Sequence, residues 1–192
     1  NGKAARRQLS GVGFREGELV DVEALRYGHL NDIRTSQISK WERVDSYKVL
    51  ILGEYSPAVT IKMLRLLEAA TPEILGKVSY TIKPHPNNLM INASDYPLLN
   101  LGVVLEPLSE ILQDFHVVCS GSQTSAAVEA YLAGLPLIVL LDESELNLCP
   151  LRGHPGVQFV STPEEIAEAL RTPPQDRIEG RDRDDFFFLD PK

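Results

Sequence analysis

The sequence is poor in cysteine, in basic charge and in long apolar runs. Two cysteines, Cys119 and Cys149, in 192 residues do not make a disulfide scaffold in a chain this long. A reducing compartment, the cytoplasm, is the simpler setting. No apolar run approaches the roughly 20 residues that a membrane-spanning helix needs, and no signal peptide is visible. Lys and Arg number 19 against 27 Asp and Glu, a formal net charge of −8. That balance argues against a nucleic-acid partner, which calls for a basic excess, and leaves room for a local basic pocket. The Walker sequence GK[ST] and the glycine triplet G-x-G-x-x-G are both missing, which sets aside the two commonest phosphate loops. Asp142, Glu143 and Glu145 follow one another without a D-x-D pattern, so a solvated acidic loop explains them better than a metal site.

What is present is enough for a globular core: 43% of the residues are hydrophobic, in a length that suits one domain, or one domain with tails. The chain begins at Asn1 rather than Met, and reads as a piece of something longer. The basic, glycine-bearing NGKAARRQLSGVG reads as a flexible lead-in. Residues 19–44 mix charge with scattered apolar positions and have room for a short helix. Tyr27, His29 and Trp41 there either line a pocket or cover the outside of the core.

From Lys48 onward the pattern becomes regular. Lys48-Val49-Leu50-Ile51-Leu52 is a short apolar run that predicts a buried strand. Val59, Met63, Leu66 and Leu67 make a helical stripe. Residues 78–82 predict a second strand, 103–105 a third, 108–113 a short helix, 116–119 a fourth strand, 125–133 a helix, 137–141 a fifth strand and 156–160 a sixth. Gly134 stops the helix before it, as a C′ glycine does. Ser161-Thr162-Pro163-Glu164-Glu165 predicts a last helix, running to about Leu170. Residues 171–185 read as an exposed linker, and Phe186-Phe187-Phe188-Leu189 is too apolar to be left in water. Continuous apolar strands alternating with helices imply a mostly parallel sheet covered on both faces, that is, an α/β, doubly wound, Rossmann-like domain of about six strands.

Ligands of such folds bind beyond the C-terminal strand ends, and three polar clusters fall there. Lys83-Pro84-His85-Pro86 holds a cation and an imidazole on a backbone fixed by two prolines. That suits a phosphate, with Lys83 as a point charge and His85 as donor or proton carrier; the alternative is a rigid turn with an incidental histidine. Ser120-Gly121-Ser122-Gln123-Thr124-Ser125 leads into a helix and carries four hydroxyls. One suffices for an N-cap; the others suit phosphate oxygens. Glu129, a turn further on, is either a ribose acceptor or a solvated helix acid. Glu54, directly after the first strand, is a candidate acid/base or ligand contact. His154 is a weaker candidate.

At Lys83-Pro84-His85-Pro86, the serine turn, Glu129 and Gly134-Leu135-Pro136, the sequence resembles the C-terminal half of a GT-B glycosyltransferase. More narrowly, it is similar to the bacterial surface-polysaccharide transferases that carry a His-Pro and a Ser/Thr motif. The resemblance covers roughly residues 47–170 and has several implications. The donor is a nucleotide-activated sugar, the acceptor a glycan or lipid-linked glycan, and no metal or other cofactor takes part. His85 and the serine turn neutralise donor phosphate. The N-terminal half is missing from this chain, which would leave the fragment inactive alone. The full-length protein associates peripherally with the inner face of the cytoplasmic membrane. Residues 1–46 then form an inter-domain connection, and 171–192 a linker and docking tail. Two other readings share the fold: half of a sugar-nucleotide epimerase, and a non-catalytic nucleotide or phosphosugar module.

Overall fold

The computed structural model describes residues 2–25, 27–28, 46–74, 77–88, 90–142, 146–172 and 183–189. The chain divides into two units: residues 1–34 with 179–192, and residues 35–178.

The first unit corrects the flexible lead-in. Lys3–Gly11 is an α-helix, α1. Its residues are mostly good helix formers, and long-range contacts hold it. Arg6 pairs with Glu16 and, at 3.0 Å, with Asp21; Arg7 reaches Asp185 at 3.0 Å. Gly2 lies against the chain near Phe186, where a Cβ would come within 2.7 Å of the Asp185 carbonyl oxygen. The apolar tail docks in this unit: Phe187 stacks on Tyr27 with ring centroids 3.9 Å apart, and the Ala24 N–H donates to the Phe188 carbonyl at 2.8 Å. His29 and Trp41 lie outside the described residues.

The second unit is a six-stranded, all-parallel sheet of order β3-β2-β1-β4-β5-β6. Its strands are β1 Ser46–Leu52, β2 Lys77–Lys83, β3 Gly102–Val103, β4 Val117–Ser120, β5 Leu137–Leu140 and β6 Val157–Val160. The helices are α2 Pro57–Ala70, α3 Leu108–Ile111, α4 Ala126–Leu132 and α5 Pro163–Arg171. β4 and β5 are buried at every position, which is why β5 and the first three residues of β4 are unbroken apolar runs. α2 packs on α5, and Met63, Leu64 and Leu67 join Ile166, Ala167 and Leu170 over Val49, Ile51, Cys119, Ile138 and Leu140. The alternate residues Leu50, Leu52, Val118, Leu137 and Val139 are equally buried and face the other side by the two-residue period of a strand.

Local signals explain the helix ends. Gly134 has φ 96°, and the Gly134 and Leu135 N–H groups close back on the carbonyls of Tyr131 and Ala130, the left-handed stop that glycine permits. At α5, Thr162 and Glu165 form a reciprocal capping box with Pro163 at the first helical position. β3 is shorter than the sequence suggested and exposed at both residues, as befits a sheet edge.

Candidate functional site

The strand order reverses between β1 and β4. That is where an open α/β sheet leaves a crevice at its C-terminal edge. The register sets three loops level there: Leu52 is paired with Lys83 on one side and with Ser120 on the other. At a spacing of about 4.8 Å between strands, the loops after β2 and β4 flank the loop after β1 as immediate neighbours.

Two glycines allow these loops to touch. The Gly53 N–H donates to the Lys83 carbonyl at 2.9 Å, and a Cβ on Gly53 would stand 2.9 Å from the His85 backbone nitrogen. A Cβ on Gly121 would stand 2.9 Å from Glu54 Cδ and 3.0 Å from Cγ. At position 53 the neighbours are backbone atoms that cannot move aside, so only glycine fits there without a shift; at position 121 a side chain would have to displace the Glu54 side chain. The loop after β1 is thereby wedged between the His-Pro loop and the serine turn.

Glu54 is buried, 3% exposed, with its carboxyl laid over the Gly121 backbone. Its charge also reaches Cys149, whose thiol is pushed up first by burial and further by Glu54. The Glu54 N–H donates to Thr60 Oγ1 at 2.9 Å, and that hydroxyl lies 3.3 Å from the Ser56 carbonyl. Thr60 is fully buried. It was not singled out from the sequence; a hydroxyl residue at helical spacing from Met63, Leu64 and Leu67 was the available signal.

His85 is half-buried. The Asn87 N–H donates to its Nδ1 at 3.1 Å, so the neutral ring carries its proton on Nε2. Tyr55, 69% exposed, stands edge-on to the ring with centroids 5.5 Å apart. Lys83 is placed differently from a phosphate clamp. Its ammonium donates to the carbonyls of Glu106 at 2.5 Å and Leu105 at 3.3 Å, and so ties β2 to the loop after β3.

In the serine turn, Ser120 is fully buried and its Oγ has no hydrogen-bond partner among the described residues. Ser122 is also buried; Thr124 is half-buried, and Gln123 and Ser125 are exposed. Thr124 Oγ1 accepts from the Ala126 N–H at 3.3 Å, the local cap. Ser125 stands at the N-cap without a side-chain bond. Glu129 is buried at 9% exposure in α4, not solvated. Asp142 pairs with Lys62 at 2.6 Å, and Glu143 and Glu145 lie outside the described residues. His154 is half-buried and edge-on to Tyr131. The structure thus brings Glu54, His85 and Gly121 into one contact chain, while Lys83 holds the neighbouring loop in place.

The fold and its switch-point crevice define a Rossmann-like α/β domain. No protein-family profile matches the sequence, and no curated protein matches it. Solved structures do match. MurG of Acinetobacter baumannii is similar with a TM-score of 0.54 at 14% identity, over 90% of this chain and 55% of that one. The glycosyltransferase SnogD of Streptomyces nogalater is similar with a TM-score of 0.51 at 18% identity, over 72% of this chain and 38% of that one. The fold is that of the C-terminal half of a GT-B glycosyltransferase, and the chain spans 38–55% of the length of these two structures. Among the described residues no helix is long and apolar enough to cross a membrane.

Proposed function

We propose that residues 47–170 form the donor-binding domain of a glycosyltransferase that builds bacterial surface carbohydrate, with a nucleotide-activated sugar held at the β2/β1/β4 edge. The observation that supports this most is the contact of Glu54 with Gly121, beside that of Gly53 with His85. Three loops meet at the switch point of a glycosyltransferase-like fold, where glycine at 53 leaves room for the backbone of the His-Pro loop and glycine at 121 leaves room for the Glu54 side chain.

In this reading His85 donates from Nε2–H to donor phosphate as the bond to the leaving group breaks. Ser122, Gln123, Thr124 and Ser125 line the same side, and Glu129 accepts from ribose hydroxyls. Glu54 is the carboxylate nearest the reacting centre. Lys83 acts at one remove, by fixing the loops. The acceptor glycan and its activation belong to the N-terminal half. The surface-carbohydrate assignment draws on the His-Pro and Ser/Thr motifs.

Titration of the folded chain with CMP, CDP, UDP and GDP tests the donor site. Binding of one of them with chemical-shift changes at His85 and Ser122 is expected; no binding at millimolar concentration refutes it. Transfer from the matching sugar nucleotide to a glycan by the full-length protein is the second expectation. Isotope exchange at the sugar C2 without transfer would assign an epimerase instead.

A further inference from the structure

The loop that carries Glu54 and Tyr55 is tied to the first turn of α2. The Gly53 N–H bonds to the Lys83 carbonyl, and α2 adds a further hold on the residues that follow. Thr60, in the first turn of α2, is fully buried. Its Oγ1 accepts from the Glu54 N–H at 2.9 Å and can donate to the Ser56 carbonyl at 3.3 Å or the Glu54 carbonyl at 3.4 Å. The Thr60 N–H adds a bond to Ser56 O at 3.2 Å. One side chain therefore spans the loop from 54 to 56. A hydroxyl can accept and donate at once; no apolar side chain of the same shape does either.

We propose that Thr60 is a positioning residue of the candidate site: its hydroxyl sets the backbone of residues 54–56, and through it the direction of the Glu54 carboxyl over Gly121 and of the Tyr55 ring against His85. The Thr60 methyl fills the core; the hydroxyl serves the loop. This assignment rests on the donor-site reading for its consequence in binding, and on the hydrogen bonds alone for its consequence in structure.

Thr60→Val keeps the shape and removes the hydroxyl, and Thr60→Ser keeps the hydroxyl. Three measurements on the whole chain decide. In the ligand-free wild type, the Glu54 amide exchanges with solvent far more slowly than an open-loop amide; exchange at the open-loop rate overturns the proposal. In ligand-free Thr60→Val, the His85 ring and Glu54 amide resonances move while those of α5 and β6 stay; unchanged His85 and Glu54 signals overturn it. The nucleoside diphosphate that binds the wild type weakens about tenfold in Thr60→Val, the size of one lost hydrogen bond, and recovers to within about twofold in Thr60→Ser. Equal losses in both variants would show that the methyl matters and not the hydroxyl, against the proposal. If no nucleotide binds the wild type, the donor-site reading fails, and exchange and resonance shifts still decide on Thr60. If Thr60→Val does not fold, the wild-type exchange rate and Thr60→Ser decide.

Discussion

The carboxyl of Glu54 lies against the backbone of Gly121, so that a Cβ at Gly121 would stand 2.9 Å from Glu54 Cδ and 3.0 Å from Cγ. A buried acid at the end of β1 thus occupies the space that any side chain at the end of β4 would need. Gly121→Ala is expected to lower stability by about 1–3 kcal/mol, the usual range for overpacking. The combined Glu54→Ala, Gly121→Ala variant should lose less than the sum of the two single variants. Urea unfolding of the four proteins measures the coupling. Strict additivity would mean that Glu54 moves aside without effort.

His85 presents Nε2–H because Nδ1 is engaged by the Asn87 N–H at 3.1 Å. A hydrogen bond to a charged oxygen contributes about 1.5–3 kcal/mol. His85→Ala should therefore weaken a nucleoside diphosphate about tenfold or more and leave the nucleoside unchanged. Isothermal titration with both ligands checks this. An equal loss for both would show that His85 does not touch phosphate.

Two buried acids predict a loss of stability in alkali. Burial pushes the Tyr80 hydroxyl up to about 12 from 10.0, with Thr71 partly opposing the shift, and burial pushes the Cys119 thiol up to about 12 from 9.0. Both folded-state values exceed the unfolded ones. The neutral forms thus stabilise the fold fully below the unfolded values, and that contribution is lost as pH rises towards 12. Tyr80→Phe should flatten the fall above pH 10, by about 1–1.5 kcal/mol at pH 11, one pH unit above the unfolded value. Urea midpoints at pH 8, 10 and 11 measure it. An unchanged slope would place the loss elsewhere.

The start of α5 predicts the opposite behaviour in acid. The Ser161 N–H, the Ser161 hydroxyl and the Thr162 N–H converge on the Glu165 carboxylate and hold it below its ordinary value of 4.5. Its contribution is present above that value and is lost as pH falls through the lower folded one. Glu165→Gln should reduce the steepness of acid unfolding below pH 5. Thr162→Ala, which removes the other half of the box, should cost about 1 kcal/mol at neutral pH. Thermal unfolding across pH 3–7 separates the two.

Much of the second unit was legible because its signals are local. An unbroken run such as Leu137–Leu140 announces a strand buried on both faces. The left-handed stop at Gly134 and the Thr162–Glu165 box mark helix ends within a few residues. α1 was missed because a basic, glycine-flanked segment carries no apolar stripe; ion pairs to Asp21 and Asp185 hold it, and these are long-range. The hydrogen-bond partners of Lys83 were hidden for a similar reason. A lysine beside a histidine suggests an anion, yet its ammonium meets carbonyls 22 and 23 residues away.

The sequence by itself determined the alternation of strand and helix, and that polar clusters fall at the C-terminal strand ends. Periodicity, glycine stops and proline starts act over a few residues, where the chain has little choice. The tertiary structure decided that Lys83, Leu52 and Ser120 lie in one register row, that Glu54 rests on Gly121 and that Gly53 abuts His85. Strand order and close approach depend on segments dozens of residues apart, and no local pattern specifies which of them become neighbours.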